Sequence, residues 1–333
     1  MQAARYCRYG RLSRLRRGAR GYRSGYVGRQ RCHHLLRHDM TIEKVAVIGV
    51  GAMGAPMAMN IHKAGFELVV CDRSDKARAS FEALGVRSTS EAADCADCDV
   101  VIILVATPDQ VRAAVMGPGG LVSGVGDKKP MLVIMGTVAP QTMKDLAQEL
   151  SGIGMRVVDA PVSGGVIKAR EGTLAIIMGG AEEDCAYLQP LMEAMGSNIF
   201  RCGALGSGQA TKIVNNMVGI STLMIAAEAY RIGLENGLFL PDAMPVFEAG
   251  TGRNFLTSGP GDATQAYAAW ASTRSDFDSL HSILRKDIDL ALSIGQNAGP
   301  LPMTNALREV LANVGDETFE NWLSVAQAPG SKS

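Results

Sequence analysis

Short apolar runs alternate with amphipathic stretches over the first two thirds of the chain. Val45–Ile48 is apolar throughout and turns at glycines in "KVAVIGVGAMG". Phe66–Asp72, Asp99–Ala106, Pro130–Gly136, Met155–Ala160, Thr173–Gly180 and Asn198–Gly203 follow as further short strand-like runs. Between them lie helical patterns such as "APMAMNIHKAG" and "PQTMKDLAQELSGIG". Strands without polar alternation are buried on both faces, which calls for a parallel sheet with helices on either side. The expected fold class is therefore α/β, a Rossmann-type doubly wound, mostly parallel sheet. After Gly206 the pattern changes. Residues 208–236, 241–250, 276–299 and 302–315 all carry helical spacing, and no strand pattern competes. The expected organisation is an α/β domain over 41–205, an all-helical domain over 206–325 and a polar tail over 326–333.

The first forty residues fit neither pattern. They contain eleven arginines, no lysine and one acid, Asp39, and they lack hydrophobic periodicity. This stretch reads as an Arg-rich N-terminal extension outside the fold, with Met40 as an alternative start. Arg-rich, acid-poor composition also suits a mitochondrial transit peptide, although serines are few. The chain totals 33 basic and 33 acidic residues, so residues 41–333 hold 22 basic and 32 acidic ones. An acidic body without a basic stripe argues against nucleic-acid binding. No run of about 18 apolar residues free of charge appears, so no membrane span is expected. Seven cysteines without a secretory signal fit reduced thiols in the cytoplasm, or in the mitochondrial matrix if the extension is a transit peptide. "CADC" (Cys95 to Cys98) has redox spacing, but no second pair accompanies it, and an ordinary loop is the plainer reading. No metal site is expected.

Chemistry enters with the glycines. Gly49, Gly51 and Gly54 form G-x-G-x-x-G between a strand and a helix, and Asp72 ends the next strand about twenty residues on. In that context Gly49 permits the tight turn, Gly51 lets a pyrophosphate approach the backbone, and Gly54 lets the helix pack on the strand. Free N–H groups around Ala52 and Met53, at the helix start, then meet phosphate charge. A carboxylate at Asp72 accepts hydrogen bonds from a ribose 2′-hydroxyl and repels a 2′-phosphate, which favours NAD. Arg73 leaves NADP open, because it could pair with that phosphate.

Hydride transfer from an alcohol also needs a group to take the hydroxyl proton. Beyond residue 40 the only histidines are His62, on a helical face, and His281, in a polar stretch. Attention moves to "GSGQATKIVNN", where Lys212 and Asn216 stand four apart and share one helix face. On spacing alone, a lysine snorkelling to water is as good a reading as a catalytic one. A free lysine titrates near pH 10.4 and is a poor base at neutrality. In an apolar cleft its pKa could fall toward roughly 7–8. A second segment, "DAPVSGGVIKAREGTL", sets Ser163, Gly164 and Gly165 between a strand and a short helix. A hydroxyl and two unshielded backbone N–H groups suit a substrate carboxylate; a purely structural turn is the alternative.

These stretches, with "IGVGAMGAPMAMNI", "GTVAP" and "LRKDIDLA", resemble the β-hydroxyacid dehydrogenase family, typified by 3-hydroxyisobutyrate dehydrogenases and tartronate semialdehyde reductases. The resemblance covers nearly all of residues 43–312 in family order. It implies that Lys212 is the catalytic lysine and that Ser163, Gly164 and Gly165 bind the substrate carboxylate. It implies that Asn216 holds the substrate and that Thr137 and Lys286 lie near the nicotinamide. It implies a long helix from about residue 208 that bridges the domains, and a homo-oligomer, a homodimer or homotetramer. "LVATPDQ" replaces the family's usual "MLP" stretch, so cofactor contacts at Val105, Ala106 and Gln110 rest on less. "FEAGTGRNFLTSG" and "SDFDSLHSILRKD" also depart from the family, and the substrate stays open. The reading is NAD-dependent oxidation of a small β-hydroxy acid such as 3-hydroxyisobutyrate. Glycerate or tartronate semialdehyde, L-threonate and phenylserine-like substrates compete with it. Imine reduction and a non-catalytic NAD-binding module are the other classes.

Overall fold

The computed structural model describes residues 41–258 and 263–328. The Arg-rich extension and the last residues of the polar tail lie outside them. The first half builds a six-stranded parallel sheet in the order β3-β2-β1-β4-β5-β6. Its strands are β1 Lys44–Ile48, β2 Glu67–Cys71, β3 Arg87–Thr89, β4 Val100–Ile103, β5 Met131–Ile134 and β6 Val157–Asp159. The order reverses between β1 and β4, which pair from Val45↔Val100 to Ile48↔Ile103. Ligands of doubly wound sheets bind beyond the carboxyl ends of the strands at that switch point.

The parity of the strands explains their unbroken apolar runs. Val45, Val47, Val70, Ile102 and Val133 face one core, shared with Met57 and Ile61 of helix α1 (Gly54–Lys63). Ala46, Ile48, Val69, Ile103 and Ile134 face the other. Helices α2 (Asp75–Glu82), α3 (Pro108–Met116) and α4 (Pro140–Ser151) complete this half, and α4 seals the second core with Leu146 and Leu150. Cys95 and Cys98 are fully buried in that second core.

The structure departs from the sequence expectation after β6. A separate three-stranded sheet forms from β7 (Val162–Ser163), β8 (Leu174–Met178) and β9 (Gly196–Arg201). Strand β7 runs antiparallel to β8, and β8 runs parallel to β9. Helices α5 (Gly165–Glu171) and α6 (Glu182–Glu193) lie between these strands in sequence. An antiparallel bridge between Asp159 and Gly179 joins the small sheet to the large one.

Helices follow: α7 (Ser207–Glu235), α8 (Leu240–Ala249), α9 (Ala263–Trp270), α10 (Arg274–Ile294), α11 (Pro302–Ala312) and α12 (Asp316–Ala326). They enclose a third core of Tyr230, Tyr267, Phe277 and Trp322. Tyr267 and Phe277 meet Trp322 edge-on at 5.1 and 5.4 Å, a favoured aromatic arrangement. His281 belongs to this core rather than to a polar stretch. It is 2% exposed, its Nδ1 lies 2.9 Å from the Phe277 carbonyl, and burial pushes its pKa down. Helix α7 is long and apolar enough to cross a membrane by length and composition alone. Core helices pass the same test, and the inner face of α7 supplies Ile220, Leu223, Met224 and Tyr230 to the third core.

Two side chains tie α7 to the large sheet. The Asp159 carboxylate, fully buried at the end of β6, accepts from the Gly206 amide at 2.6 Å and the Gln209 amide at 2.7 Å. The Gln209 side chain, also fully buried, accepts from the Val138 amide at 3.0 Å and donates to the Gly136 carbonyl at 2.8 Å. Gln209→Leu keeps the volume but strands both backbone groups. Each unsatisfied buried group costs roughly 1–3 kcal/mol, so urea unfolding should show a loss of about 2–6 kcal/mol. An unchanged midpoint would show that these groups find other partners.

Candidate active site

The glycine loop has the shape of a phosphate cradle. Gly49 has φ +95°, and a Cβ there would sit 2.5 Å from the Leu104 carbonyl oxygen. A Cβ on Gly54 would sit 1.9 Å from the Gly49 carbonyl oxygen, so α1 approaches the turn only as glycine. Above Gly51, by contrast, nothing lies within 4 Å of where a Cβ would be. That opening admits a pyrophosphate to the backbone. The start of α1 has no acidic residue in its first turn and no side chain capping it from Met53. Its N–H groups and the positive end of its dipole therefore face the opening beside the exposed Ala52.

Asp72 follows β2, and its carboxylate accepts from the Val50 amide at 3.0 Å and the Ser74 amide at 2.9 Å. It thus ties the glycine loop to the next turn. Arg73 is exposed. Arg78, which sequence reasoning passed over, donates to the Asp72 carbonyl. Across the switch point, Val105 is half-buried, and Ala106 and Gln110 are exposed. The Gln110 side-chain oxygen accepts from the Ala106 and Thr107 amides at 2.9 and 3.2 Å. It closes a capping box on α3 with Thr107, so that oxygen is committed to the loop and is not free for a cofactor. These residues fit a dinucleotide laid across the β1–β4 edge.

The other half of the site hangs from α7 and α10. Lys212 is only 8% exposed, so it does not snorkel. Burial pushes its pKa down to about 8; the charge of Asp287 opposes that fall and the charge of Lys286 adds to it. Asn216, one turn later, donates to the Asp287 carboxylate at 2.6 Å. Lys286 reaches from α10 to the loops after β4 and β5, with its Nζ 3.1 Å from the Thr137 carbonyl and 3.4 Å from that of Ala106. Lys212, Asn216, Lys286, Thr137 and Ala106 are thereby brought to one region. Asp287 lies among them, a residue the sequence quoted in "LRKDIDLA" without a role.

Ser163 pairs with Ala175 in the small sheet, four residues after Asp159. Gly164 and Gly165 have φ +135° and +70°, and the space above Gly165 is open. Among the described residues no hydrogen bond joins this loop to Lys212 or Asn216. The two are linked through Asp159, which precedes the loop and anchors the first turn of α7.

An α/β sheet with a dinucleotide cradle, followed by a helical half carrying a buried lysine, defines a class of NAD(P)-dependent oxidoreductases acting on CH–OH groups. Comparison with known proteins gives the family. Residues 44–203 match the NAD-binding domain of 6-phosphogluconate dehydrogenase, and residues 206–322 match the NAD-binding model of NADP-dependent 3-hydroxyisobutyrate dehydrogenase. A 3-hydroxyisobutyrate dehydrogenase of Pseudomonas aeruginosa is 36% identical over 262 residues, 76% of this chain and 85% of that protein. An NAD-dependent L-serine dehydrogenase of the same organism is 32% identical over 273 residues, 79% of this chain and 89% of its own. The solved Mycobacterium tuberculosis 3-hydroxyisobutyrate dehydrogenase with L-serine superposes with a TM-score of 0.70 at 26% identity, covering 86% of this chain and 100% of that one. The chain belongs to the β-hydroxyacid dehydrogenase family and is an NAD(P)-dependent hydroxyacid dehydrogenase.

A carboxylate at position 72 is expected to select between the two cofactors by charge. Asp72→Ser should raise the Kd for NAD and lower that for NADP, because the serine keeps a hydroxyl for the ribose and removes the repulsion of a 2′-phosphate. Fluorescence titration with both reduced cofactors measures this; a wild type that already prefers NADPH would assign the selection to Arg73 instead.

Proposed function

We propose that this chain is an NAD-dependent oxidoreductase that oxidises the hydroxyl of a small β-hydroxy carboxylic acid, with 3-hydroxyisobutyrate as the reference substrate. The observation that carries the reading is Lys212 buried on the helix face it shares with Asn216, where burial pushes its pKa down to about 8. An amine that titrates near the working pH can both take and return a proton. Bound NAD supplies the hydride acceptor. Lys212 Nζ takes the hydroxyl proton while the hydride leaves the same carbon, and an aldehyde remains. Asn216 holds the substrate beside Lys212. Ser163 and the amides of Gly164 and Gly165 hold the carboxylate. Thr137 and Lys286 border the nicotinamide. Serine is itself a β-hydroxy acid, so the relative named for L-serine oxidation falls within the same chemistry.

We also propose a homo-oligomer. The outer face of α7 exposes Val214, Val218, Ile225 and Ile232, each more than half exposed. They recur at four- and seven-residue spacing, as on helices that pack against another helix. Light scattering on the purified chain checks this.

Lys212→Ala should lower kcat by about two to four orders of magnitude, the range for losing a general acid–base group, with the Kd for NAD unchanged. The sign of the pH dependence follows from the amine. Oxidation needs the neutral form, so kcat/KM for the hydroxy acid should fall as pH drops below about 8. Reduction of the aldehyde needs the protonated form and should fall as pH rises through the same value. A near-normal rate in Lys212→Ala with a verified substrate ends the assignment.

The carboxylate site generates its own test. A substrate lacking the carboxylate leaves polar donors unpaired, a mismatch that can cost on the order of 10⁴ in kcat/KM. Small 3-hydroxy acids should therefore far outperform the matching decarboxylated alcohols. Gly165→Val, placing a branched side chain at φ +70°, should raise KM for the acid and leave NAD affinity intact. Equal kcat/KM for acid and alcohol would reject the loop and favour imine reduction, which needs no carboxylate.

A further inference from the structure

Helix α10 delivers a carboxylate to the face of α7 that carries Lys212. Asp287 is 2% exposed. Its Oδ2 accepts from Asn216 Nδ2 at 2.6 Å, one of the shorter bonds at the site. Its Oδ1 is buried without a hydrogen-bond partner, and lies 3.4 Å from Lys286 Nζ. That separation gives an ion-pair contact but not an aligned hydrogen bond, because Lys286 donates instead to the Thr137 carbonyl.

A carboxylate offers acceptors only, so it dictates which end of the Asn216 amide it meets. The NH2 group turns inward to Asp287, and Oδ1 turns away. Among the described residues that oxygen receives only a 3.5 Å contact from the exposed Asn215. Asn216 therefore keeps Oδ1 as its group not taken by Asp287, an acceptor on the residue that shares a helix face with Lys212. An acceptor suits a hydroxyl hydrogen and repels a carboxylate. The two polar ends of a hydroxy acid are thus sorted by opposite chemistry, donors at Ser163–Gly165 and an acceptor at Asn216.

The same carboxylate is bonded to the residue one turn from Lys212 on a shared face of α7, which sets its charge near the amine. The charged groups bearing on the amine from α10 are Asp287, which favours its protonated form, and Lys286, which disfavours it. Asp159, at the end of β6, is engaged by the Gly206 and Gln209 amides. Arg285 turns to the Leu311 carbonyl, and the buried His281 belongs to the third core. Asp287 is thus the negative charge set against both burial and Lys286.

We propose that Asp287 is a positioning residue: it fixes Asn216 as a hydrogen-bond acceptor for the substrate hydroxyl and supplies the counter-charge that keeps Lys212 able to hold a proton. This rests on Lys212 being the acid–base group. Without the carboxylate, the desolvated amine beside Lys286 would lose its proton at a lower pH and become a weaker proton acceptor.

The test reads the amine directly. Competitive acetylation of the full chain with acetic anhydride across pH, followed by mass spectrometry of the Lys212 peptide, gives the titration midpoint whether or not a substrate turns over. Asp287→Asn should lower that midpoint by about one pH unit, and the acid limb of kcat/KM should move with it. Asn216→Ala leaves the carboxylate but removes its donor, so the midpoint should rise, and KM for the hydroxy acid should rise more than kcat falls. A role confined to packing would lower activity at all pH values and leave both midpoints in place. No downward shift in Asp287→Asn overturns the proposal. If that variant does not fold, an unshifted midpoint in Asn216→Ala does so. Should no hydroxy acid be turned over at all, the substrate reading falls and the acetylation midpoints still decide the role of Asp287.

Discussion

The site depends on one buried carboxylate. Asp159 closes β6 and receives the first turn of α7 through the amides of Gly206 and Gln209. Burial raises its pKa, and those amides pull in the other direction. The helix start provides what a buried anion needs, several aligned N–H groups and the positive end of a 29-residue helix. The fit is close. A Cβ on Gly208 would lie 2.7 Å from the Asp159 carboxylate and 2.2 Å from the Ile177 carbonyl oxygen, so only glycine admits this approach. With the helix start pinned here, Gln209 locks the Gly136–Val138 turn against it, and Lys212 falls one turn further on at the carboxyl end of the sheet.

That placement makes the lysine useful. On a free helix it would keep its amine in water and its proton to high pH. Pinned at 8% exposure it is largely withdrawn from solvent, and desolvation outweighs the remaining charges. The charges then trim the result from two sides, Asp287 upward and Lys286 downward. Lys286 can stay in this arrangement because its own amine is satisfied by the Thr137 and Ala106 carbonyls at the ends of β5 and β4. The carboxyl edge of the sheet and Lys212 are therefore connected through adjacent residues of α10.

Much of this was legible in the sequence, for identifiable reasons. The strands of the large sheet are buried on both faces, so their apolar runs stand out, and the glycine loop announces its own turn. Strand β3 (Arg87-Ser-Thr) is too short and polar to register, and β7 has only two residues. Helices α9 and α12 were missed beside stronger neighbours; α9 is only eight residues long. The separate small sheet was invisible because periodicity reports burial and not pairing. Lys212 and Asn216 could be found by their shared face. Asp159, Gln209 and Asp287 could not, since their partners lie 47 to 73 residues away in sequence. A polar residue inside an apolar pattern signals that a partner exists, but not which one.

The arrangement also bears on which reaction the scaffold serves. A reductase acting on a C=N bond delivers a proton to nitrogen and has no call for a fixed acceptor beside its acid. Here the acceptor is fixed by a carboxylate that is itself almost fully buried. Leaving such a group in the interior is costly unless it is paired. Packing alone would favour an apolar residue at 287, facing a helix that already contributes Ile220 and Leu223 to the third core. On our proposal the amide orientation and the charge together offset that cost. On the proposed reading, an alcohol O–H donates first to Asn216 Oδ1 for alignment and then turns to Lys212 for removal. A half-buried acceptor and a buried amine on one helix face would be complementary to a hydroxyl, which supports the proposed alcohol oxidation over imine reduction on this fold.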